Sequence, residues 1–173
     1  MLTLVLGGAR SGKSALAERL AIESSREVVY VATAQALDGE MSERIAHHRS
    51  RRPPGWGLVE EPLALADTLL HHARDGRFVI VDCLTLWLSN LLGAEDATRF
   101  EAERDALLRA TAALPGDICF VSNEVGLGIT PLGELTRRFV DEAGRLHQSL
   151  AQRCERVVFV AAGLPLTLKG TPP

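Results

Sequence analysis

An apolar run, Leu2 to Leu6, ends in Gly7-Gly8-Ala9-Arg10-Ser11-Gly12-Lys13-Ser14, and a helical pattern opens at once at Lys13. This Gly-x-x-x-x-Gly-Lys-Ser stretch constrains the fold more than any other part of the chain. It has to join the carboxyl end of a strand to the N-terminus of a helix. The glycines let backbone N–H groups converge on phosphate oxygens without obstruction by a Cβ. The helix N-terminus adds unsatisfied donors and a favourable dipole. Lys13 sets a positive charge at the β- and γ-phosphates, and the Ser14 hydroxyl suits Mg²⁺. Gly7, Gly8, Ala9, Arg10, Ser11, Gly12, Lys13 and Ser14 are therefore read together as a cradle for a nucleoside triphosphate.

The rest of the chain fits a sheet built around that loop. Val- and Ile-rich runs recur at Leu2–Leu6, Val28–Ala32, Phe78–Val81, Ile118–Val121 and Val157–Ala161. None alternates cleanly, as expected of strands buried on both faces of a parallel sheet. Helical spacing fills the intervals at 13–23, 63–73, 102–114 and 132–153. Strands alternating with helices imply right-handed crossovers and an α/β three-layer sandwich. The segment 164–169 reads as a short antiparallel edge strand after a turn, and 171–173 as a tail. With 173 residues and no linker or repeat, residues 1–173 are read as one nucleotide-binding domain.

Composition narrows the partners. A net charge of -3 supplies no basic field for nucleic acid. No apolar run approaches the roughly 20 residues that span a bilayer. Cys83, Cys119 and Cys154 are far apart, without zinc spacing, and read as small core residues. These features together point to a cytoplasmic protein.

A metal-binding loop of this kind needs an acidic partner at another strand end. Asp82 follows Phe78-Val79-Ile80-Val81, at the edge where ligands collect in open α/β sheets. It could equally cap a helix beginning near Cys83. There is no Asn-Lys-x-Asp for guanine recognition and no arginine-rich lid after a helical hairpin. The loop alone does not separate an ATPase from a kinase. Residues 44–52 then gather four arginines and two histidines, in a helical pattern over 40–50 stopped by Pro53. Two readings fit: a solvated basic helix end, or a histidine working as nucleophile beside phosphates with arginines steadying the charge. Adjacent helical residues point about 100° apart, so His47 and His48 do not share one role. The pair His71-His72 reads as a solvated helix end. The glycine-rich 126–128 stretch is either a loop before the long helix or part of a second substrate surface.

Taken together, the glycine loop, Tyr30-Val31-Ala32-Thr33-Ala34, Asp38-x-Glu40-Met41, Arg44-Ile45-x-His47-His48, Arg52-Pro53-x-x-Trp56 and Val121-Ser122-Asn123-Glu124-Val125-Gly126-Leu127-Gly128-Ile129 resemble a known family over nearly the whole chain. It is that of the bifunctional adenosylcobinamide kinase/adenosylcobinamide-phosphate guanylyltransferases of coenzyme B12 synthesis. The resemblance implies two reactions. A nucleoside triphosphate, ATP or GTP, phosphorylates the aminopropanol hydroxyl of adenosylcobinamide. GTP then gives GMP to a histidine, and adenosylcobinamide-phosphate takes that GMP to become adenosylcobinamide-GDP. By motif position the histidine is His47, with Lys13 as the catalytic cation. The family's nucleotide contacts map to the loop, to Thr33, Ala34 and Gln35, to His48, Arg49, Ser50 and Arg51, and to Glu60 and Asp82. Ser14 and Asp82 would hold Mg²⁺. A P-loop sheet similar to that of RecA and a homotrimer are also implied. A monofunctional small-molecule kinase and a nucleotide-binding assembly ATPase are the competing functions.

Overall fold

A computed structural model describes residues 1–35, 39, 53–94, 96 and 98–173. The expected helix at 40–50, with His47, His48, Arg49, Ser50 and Arg51, lies outside the described residues. Along the chain the elements are β1 (Leu2–Gly7), α1 (Lys13–Glu23), β2 (Glu27–Ala32), β3 (Gly57–Glu60), α2 (Leu65–His72), β4 (Arg77–Asp82), α3 (Leu84–Leu92), α4 (Arg99–Ala110), β5 (Asp117–Asn123), α5 (Glu134–Arg153), β6 (Arg156–Ala161) and β7 (Leu164–Lys169).

These strands form one seven-stranded sheet in the order β3-β2-β4-β5-β1-β6-β7. Every pairing is parallel except β6 with β7, so the antiparallel C-terminal edge strand is where the sequence put it. This is the expected α/β sandwich, a mostly parallel sheet with helices packed on both faces. The sequence reading missed β3. Its Gly57-Leu58-Val59-Glu60 is too short to show a period, and as an edge strand it is mostly exposed. Its parallel pairing with β2 makes it an edge of the sheet.

Two apolar clusters line the two faces. On one, Leu16, Ala17, Leu20 and Ala21 of α1 pack on Val5, Tyr30, Ile80 and Val121. On the other, α2 to α5 bury Leu69, Trp87, Leu107, Leu146 and Leu150 against Leu4, Val31, Val79 and Phe120. The Val- and Ile-rich runs are thus buried on both faces, which explains their lack of alternation. Cys83, Cys119 and Cys154 are unbridged core residues. Among the described residues no helix is long and apolar enough to cross a membrane.

Because β1 to β5 run parallel, their carboxyl ends share one edge of the sheet. The glycine loop, the 33–35 turn, Glu60, Asp82 and Glu124 are all delivered there. Chain direction alone has collected the candidate residues.

Candidate nucleotide site

Gly7 ends β1 between β5 and β6. A Cβ there would overlap the Val160 carbonyl oxygen and lie 2.7 Å from Ser11 Oγ. Gly12, the residue before α1, has φ 103°, and a Cβ on it would press the Gly163 backbone at 3.2 Å. The first and last glycines of the motif are therefore required by the turn and by the β6–β7 hairpin beside it. The loop is tied from outside as well. Gly163 N–H donates to Ser11 O at 2.8 Å, and Glu124 N–H donates to Gly7 O at 2.9 Å.

Lys13 opens α1 and is 6% exposed. Its ammonium donates to Gly8 O at 2.6 Å and to Ser11 Oγ at 3.4 Å, so it is folded back over the loop. Burial lowers its pKa, and the charges of Asp82 and Cys83 oppose that shift. A desolvated cation held against the loop by the Gly8 carbonyl attracts an anionic ligand far more strongly than a surface lysine does. Around it Gly8, Ala9 and Arg10 are exposed, with Arg10 at φ 55°.

Asp82 ends β4, and the residue in the cap position of α3 is Cys83, so the helix-cap reading of Asp82 fails. Asp82 Oδ2 instead accepts from the Tyr30 hydroxyl at 2.7 Å. Thr33 braces the same corner. Its N–H donates to Asp82 O at 3.2 Å. Its hydroxyl accepts from Cys83 N–H at 2.9 Å and donates to Cys83 O at 2.7 Å. Its carbonyl accepts from Asn90 Nδ2 at 2.8 Å. Fully buried Thr33 thus spends its polar groups inside the protein, while Ala34 and Gln35 are at least partly exposed. The thiol of Cys83 is pushed up to about 11, mainly by burial, and is no nucleophile.

Glu60 and Glu61 separate by role. Glu61 Oε1 accepts from the N–H groups of Leu63 and Ala64 at 2.8 and 2.7 Å, which shapes the turn into α2. Glu60 ends β3 on the site edge with its side chain exposed. Among the described residues no group of three or more His, Cys, Asp or Glu could hold a metal unaided. A hydroxyl and a carboxylate, Ser14 and Asp82, are the hard oxygen ligands that suit Mg²⁺, which takes its remaining ligands from water and phosphate.

The structure adds residues that the sequence reading passed over. Tyr30 and Asn90 hold the Asp82 corner. On β5 and just past its end, between β4 and the loop strand, Ser122 and Glu124 form a chain with His147 of α5. His147 Nε2 is 2.7 Å from Ser122 Oγ, and its Nδ1 is 3.6 Å from Glu124 Oε2. The Tyr-Val-Ala-Thr-Ala and Ser-Asn-Glu stretches marked Tyr30, Ser122 and Glu124 without giving them roles. Nothing in the spacing of α5 distinguishes His147.

Of solved structures, a protein from Pyrococcus horikoshii OT3 covers 99% of the chain with a TM-score of 0.56 and 9% identity, a likeness of fold. The bifunctional adenosylcobalamin biosynthesis protein CobP of Pseudomonas aeruginosa is 64% identical over 172 residues, 99% of each chain. The bifunctional adenosylcobalamin biosynthesis protein CobU of Escherichia coli is 39% identical and that of Salmonella typhimurium 37%, each over 98% of this chain and 100% of the relative. A family model described as cobinamide kinase / cobinamide phosphate guanyltransferase matches residues 3–168, and with it the glycine loop, Asp82 and Glu124 all fall inside the match. The chain belongs to that family, whose members are transferases of both kinds.

Proposed function

We propose that this protein performs both steps of its family, in adenosylcobalamin biosynthesis, on one nucleotide cradle. The observation that carries this reading is the desolvated Lys13 folded into the Gly7–Ser14 loop, with Asp82 at the neighbouring strand end. In the kinase step, Lys13 and the loop amides hold the β- and γ-phosphates of ATP or GTP while the aminopropanol hydroxyl of adenosylcobinamide attacks the γ-phosphorus. In the second step, neutral His47 attacks the α-phosphorus of GTP. The N–P bond forms, the bond to pyrophosphate breaks, and the loop retains the leaving charge. The phosphate of adenosylcobinamide-phosphate then displaces the histidine to give adenosylcobinamide-GDP.

The remaining assignments follow the same scheme. Ala34, Gln35, His48, Arg49, Ser50, Arg51 and Glu60 contact the nucleotide, and Thr33 shapes the turn behind them. Ser14 and Asp82 would hold Mg²⁺, which would supply charge neutralisation to the phosphates. Residues 1–173 act as one domain, a reading supported by a single sheet with strands from residue 2 to residue 169. Three buried, unbridged cysteines suit the reducing cytoplasm.

The protein works as a homotrimer. Ile129 and Leu132 are 97% and 98% exposed, beside Leu127 and Leu135, an apolar run that a second copy of the chain would cover.

GTP labelled at the α-phosphate tests the scheme. It should leave an acid-labile, base-stable label on the protein, and His47→Asn should leave none. Equal labelling of His47→Asn refutes the histidine assignment. Phosphorylation of cobinamide without any label identifies a monofunctional kinase. Rapid nucleotide hydrolysis without a corrinoid identifies an assembly ATPase.

A further inference from the structure

The Ser122-Asn123-Glu124 corner is not used by the nucleotide scheme, yet it sits against the phosphate loop. In the β1–β5 ladder Asn123 lies opposite Gly7, and the next residue, Glu124, donates its N–H to Gly7 O at 2.9 Å. Glu124 therefore leaves the sheet on the same edge as the phosphate loop and Asp82, from β5, which lies between β1 and β4. A carboxylate here is unexpected on electrostatic grounds alone, since the neighbouring ligand is a polyanion. It needs a task that justifies negative charge beside phosphate.

The carboxylate is tethered at one oxygen, faces a histidine with the other and remains open. Gly126 N–H donates to Oε1 at 2.7 Å. A Cβ at Gly126 would lie 3.0 Å from that oxygen, so glycine here keeps room for the carboxylate. Oε2 faces His147 Nδ1 at 3.6 Å. The imidazole is almost completely buried, whereas the Glu124 side chain is 23% exposed. His147 Nδ1 has no hydrogen-bond partner among the described residues.

The tautomer follows from charge. Burial lowers the pKa of His147, with Glu124 acting the other way, so the ring is neutral near pH 7. A neutral ring with its lone pair on Nδ1 would turn that pair toward a carboxylate. The favoured form has the proton on Nδ1, directed at Oε2, and accepts at Nε2 from the Ser122 hydroxyl, 2.7 Å away. Ser122 is fully buried and flanked by β1 and β4, so the chain Ser122–His147–Glu124 runs from the sheet interior out to the site edge. A separation of 3.6 Å is just outside hydrogen-bond range, and such contacts close when substrate fills a site.

We infer that Glu124 accepts the proton of the substrate hydroxyl in the kinase step, and that His147 is a positioning residue that aims its carboxylate. The inference rests on the kinase half of the function proposed above. As the hydroxyl oxygen bonds to the γ-phosphorus, its O–H bond breaks and the proton passes to a Glu124 oxygen. The bond from the γ-phosphorus to the β–γ bridging oxygen breaks, and the nucleoside diphosphate leaves. Glu124 then loses its proton to water. The transfer of GMP to His47 needs no such acceptor, because a neutral imidazole nitrogen attacks with its own lone pair. Glu124 is therefore specific to one of the two activities.

The test measures both half-reactions on the intact enzyme: phosphoryl transfer from γ-labelled ATP to cobinamide, and self-labelling from α-labelled GTP. Glu124→Gln should lower kcat for phosphoryl transfer by about a hundredfold or more, with KM for ATP and the rate of self-labelling within twofold of the parent. His147→Gln keeps a group that can reach Ser122 but loses the donor to Glu124, and should lower the same kcat about tenfold. His147→Asn keeps an N–H near the Nδ1 position and should recover most of that loss, which a merely structural role would not predict. Retention of kinase kcat by Glu124→Gln overturns the inference, as does equal loss of both half-reactions. A raised Mg²⁺ requirement with full kcat at saturating Mg²⁺ also overturns it, by placing Glu124 in the metal's surroundings. If the parent enzyme itself phosphorylates no cobinamide, the kinase reading fails instead.

Discussion

Thr33→Val is an isosteric change that removes one hydroxyl from the corner behind Asp82. That hydroxyl accepts from Cys83 N–H at 2.9 Å and donates to Cys83 O at 2.7 Å, with Thr33 and Cys83 both buried. The two bonds are not equal in consequence. Cys83 O also accepts from Trp87 N–H at 3.2 Å, the first bond of α3, so the carbonyl keeps a partner. The N–H of Cys83 is left facing a methyl group, and an orphaned buried donor costs about 1–3 kcal/mol. Adding about 1 kcal/mol for the weakened carbonyl gives a loss of about 2–4 kcal/mol. For a chain of this length that corresponds to about 5–15 °C in Tm. Urea melts of the parent, Thr33→Val and Thr33→Ser would measure it through the midpoint at constant slope. Serine keeps the hydroxyl and loses only a methyl, so it should fall by about 1 kcal/mol. A Thr33→Val protein within about 0.5 kcal/mol of the parent, or a Thr33→Ser protein as unstable as Thr33→Val, would refute the view that this hydroxyl holds the strand ends together.

Other outcomes follow from the same geometry. Burial holds Lys13 below the ordinary lysine value of 10.5, so the empty enzyme loses that charge at lower pH than a free lysine would. In a pH profile of kcat/KM for nucleotide, the alkaline fall should begin below 10.5, and Lys13→Arg should move it upward. Tyr30→Phe removes the donor to Asp82 Oδ2 and should raise the Mg²⁺ concentration for half-maximal activity several-fold while leaving the fold intact, read by Mg²⁺ titration. Ile129→Asp together with Leu132→Asp should turn the proposed trimer into species near the 18.7 kDa monomer in sedimentation. Maleimide at neutral pH should label none of the three cysteines until denaturant is added, since each is buried and burial raises each thiol pKa.

The fold was legible wherever a residue pattern and a packing environment correspond one to one. Phe78-Val79-Ile80-Val81 can be buried on both sides only as an inner strand, and β4 is one. Lys13–Glu23 was readable to the residue because the glycine before it fixes where the helix begins. Gly57–Glu60 was not legible, since four residues on an exposed edge carry no periodic signal. In the candidate site, the placing of Gly7 to Ser14 between β1 and α1, and of Asp82 at the end of β4, was legible because phosphate and metal chemistry restrict residue type at fixed spacing. Tyr30, Asn90 and His147 were not, because each acts through an atom 25 or more residues away along the chain. His147 meets Ser122 across 25 residues, Tyr30 meets Asp82 across 52, and Asn90 meets Thr33 across 57. A lone histidine in an amphipathic helix looks the same whether it fills a core or aims a carboxylate. Only the pairing of α5 with the end of β5 separates the two.

One loop can serve two chemistries because the groups that hold a triphosphate are not the groups that choose the phosphorus attacked. In the proposed scheme the cradle presents Lys13 and backbone amides to the β- and γ-phosphates, and those contacts are the same whether the γ-phosphoryl leaves or pyrophosphate stays behind. Selection then falls to where each nucleophile arrives. In the proposed scheme a substrate hydroxyl comes to the γ-phosphorus past Glu124, on the β5 side of the loop, and His47 comes to the α-phosphorus. The two demands on charge are opposite. A hydroxyl needs a carboxylate to take its proton, and a carboxylate beside the α-phosphorus would repel the phosphate of adenosylcobinamide-phosphate as it displaces the histidine. In this scheme the negative charge sits at the end of β5 and the arginines of 44–52 accompany His47 in the sequence, which keeps the two half-reactions from spoiling one another. It follows that Glu124 and His47 fail separately, and that a Glu124→Gln enzyme supplied with adenosylcobinamide-phosphate still makes adenosylcobinamide-GDP.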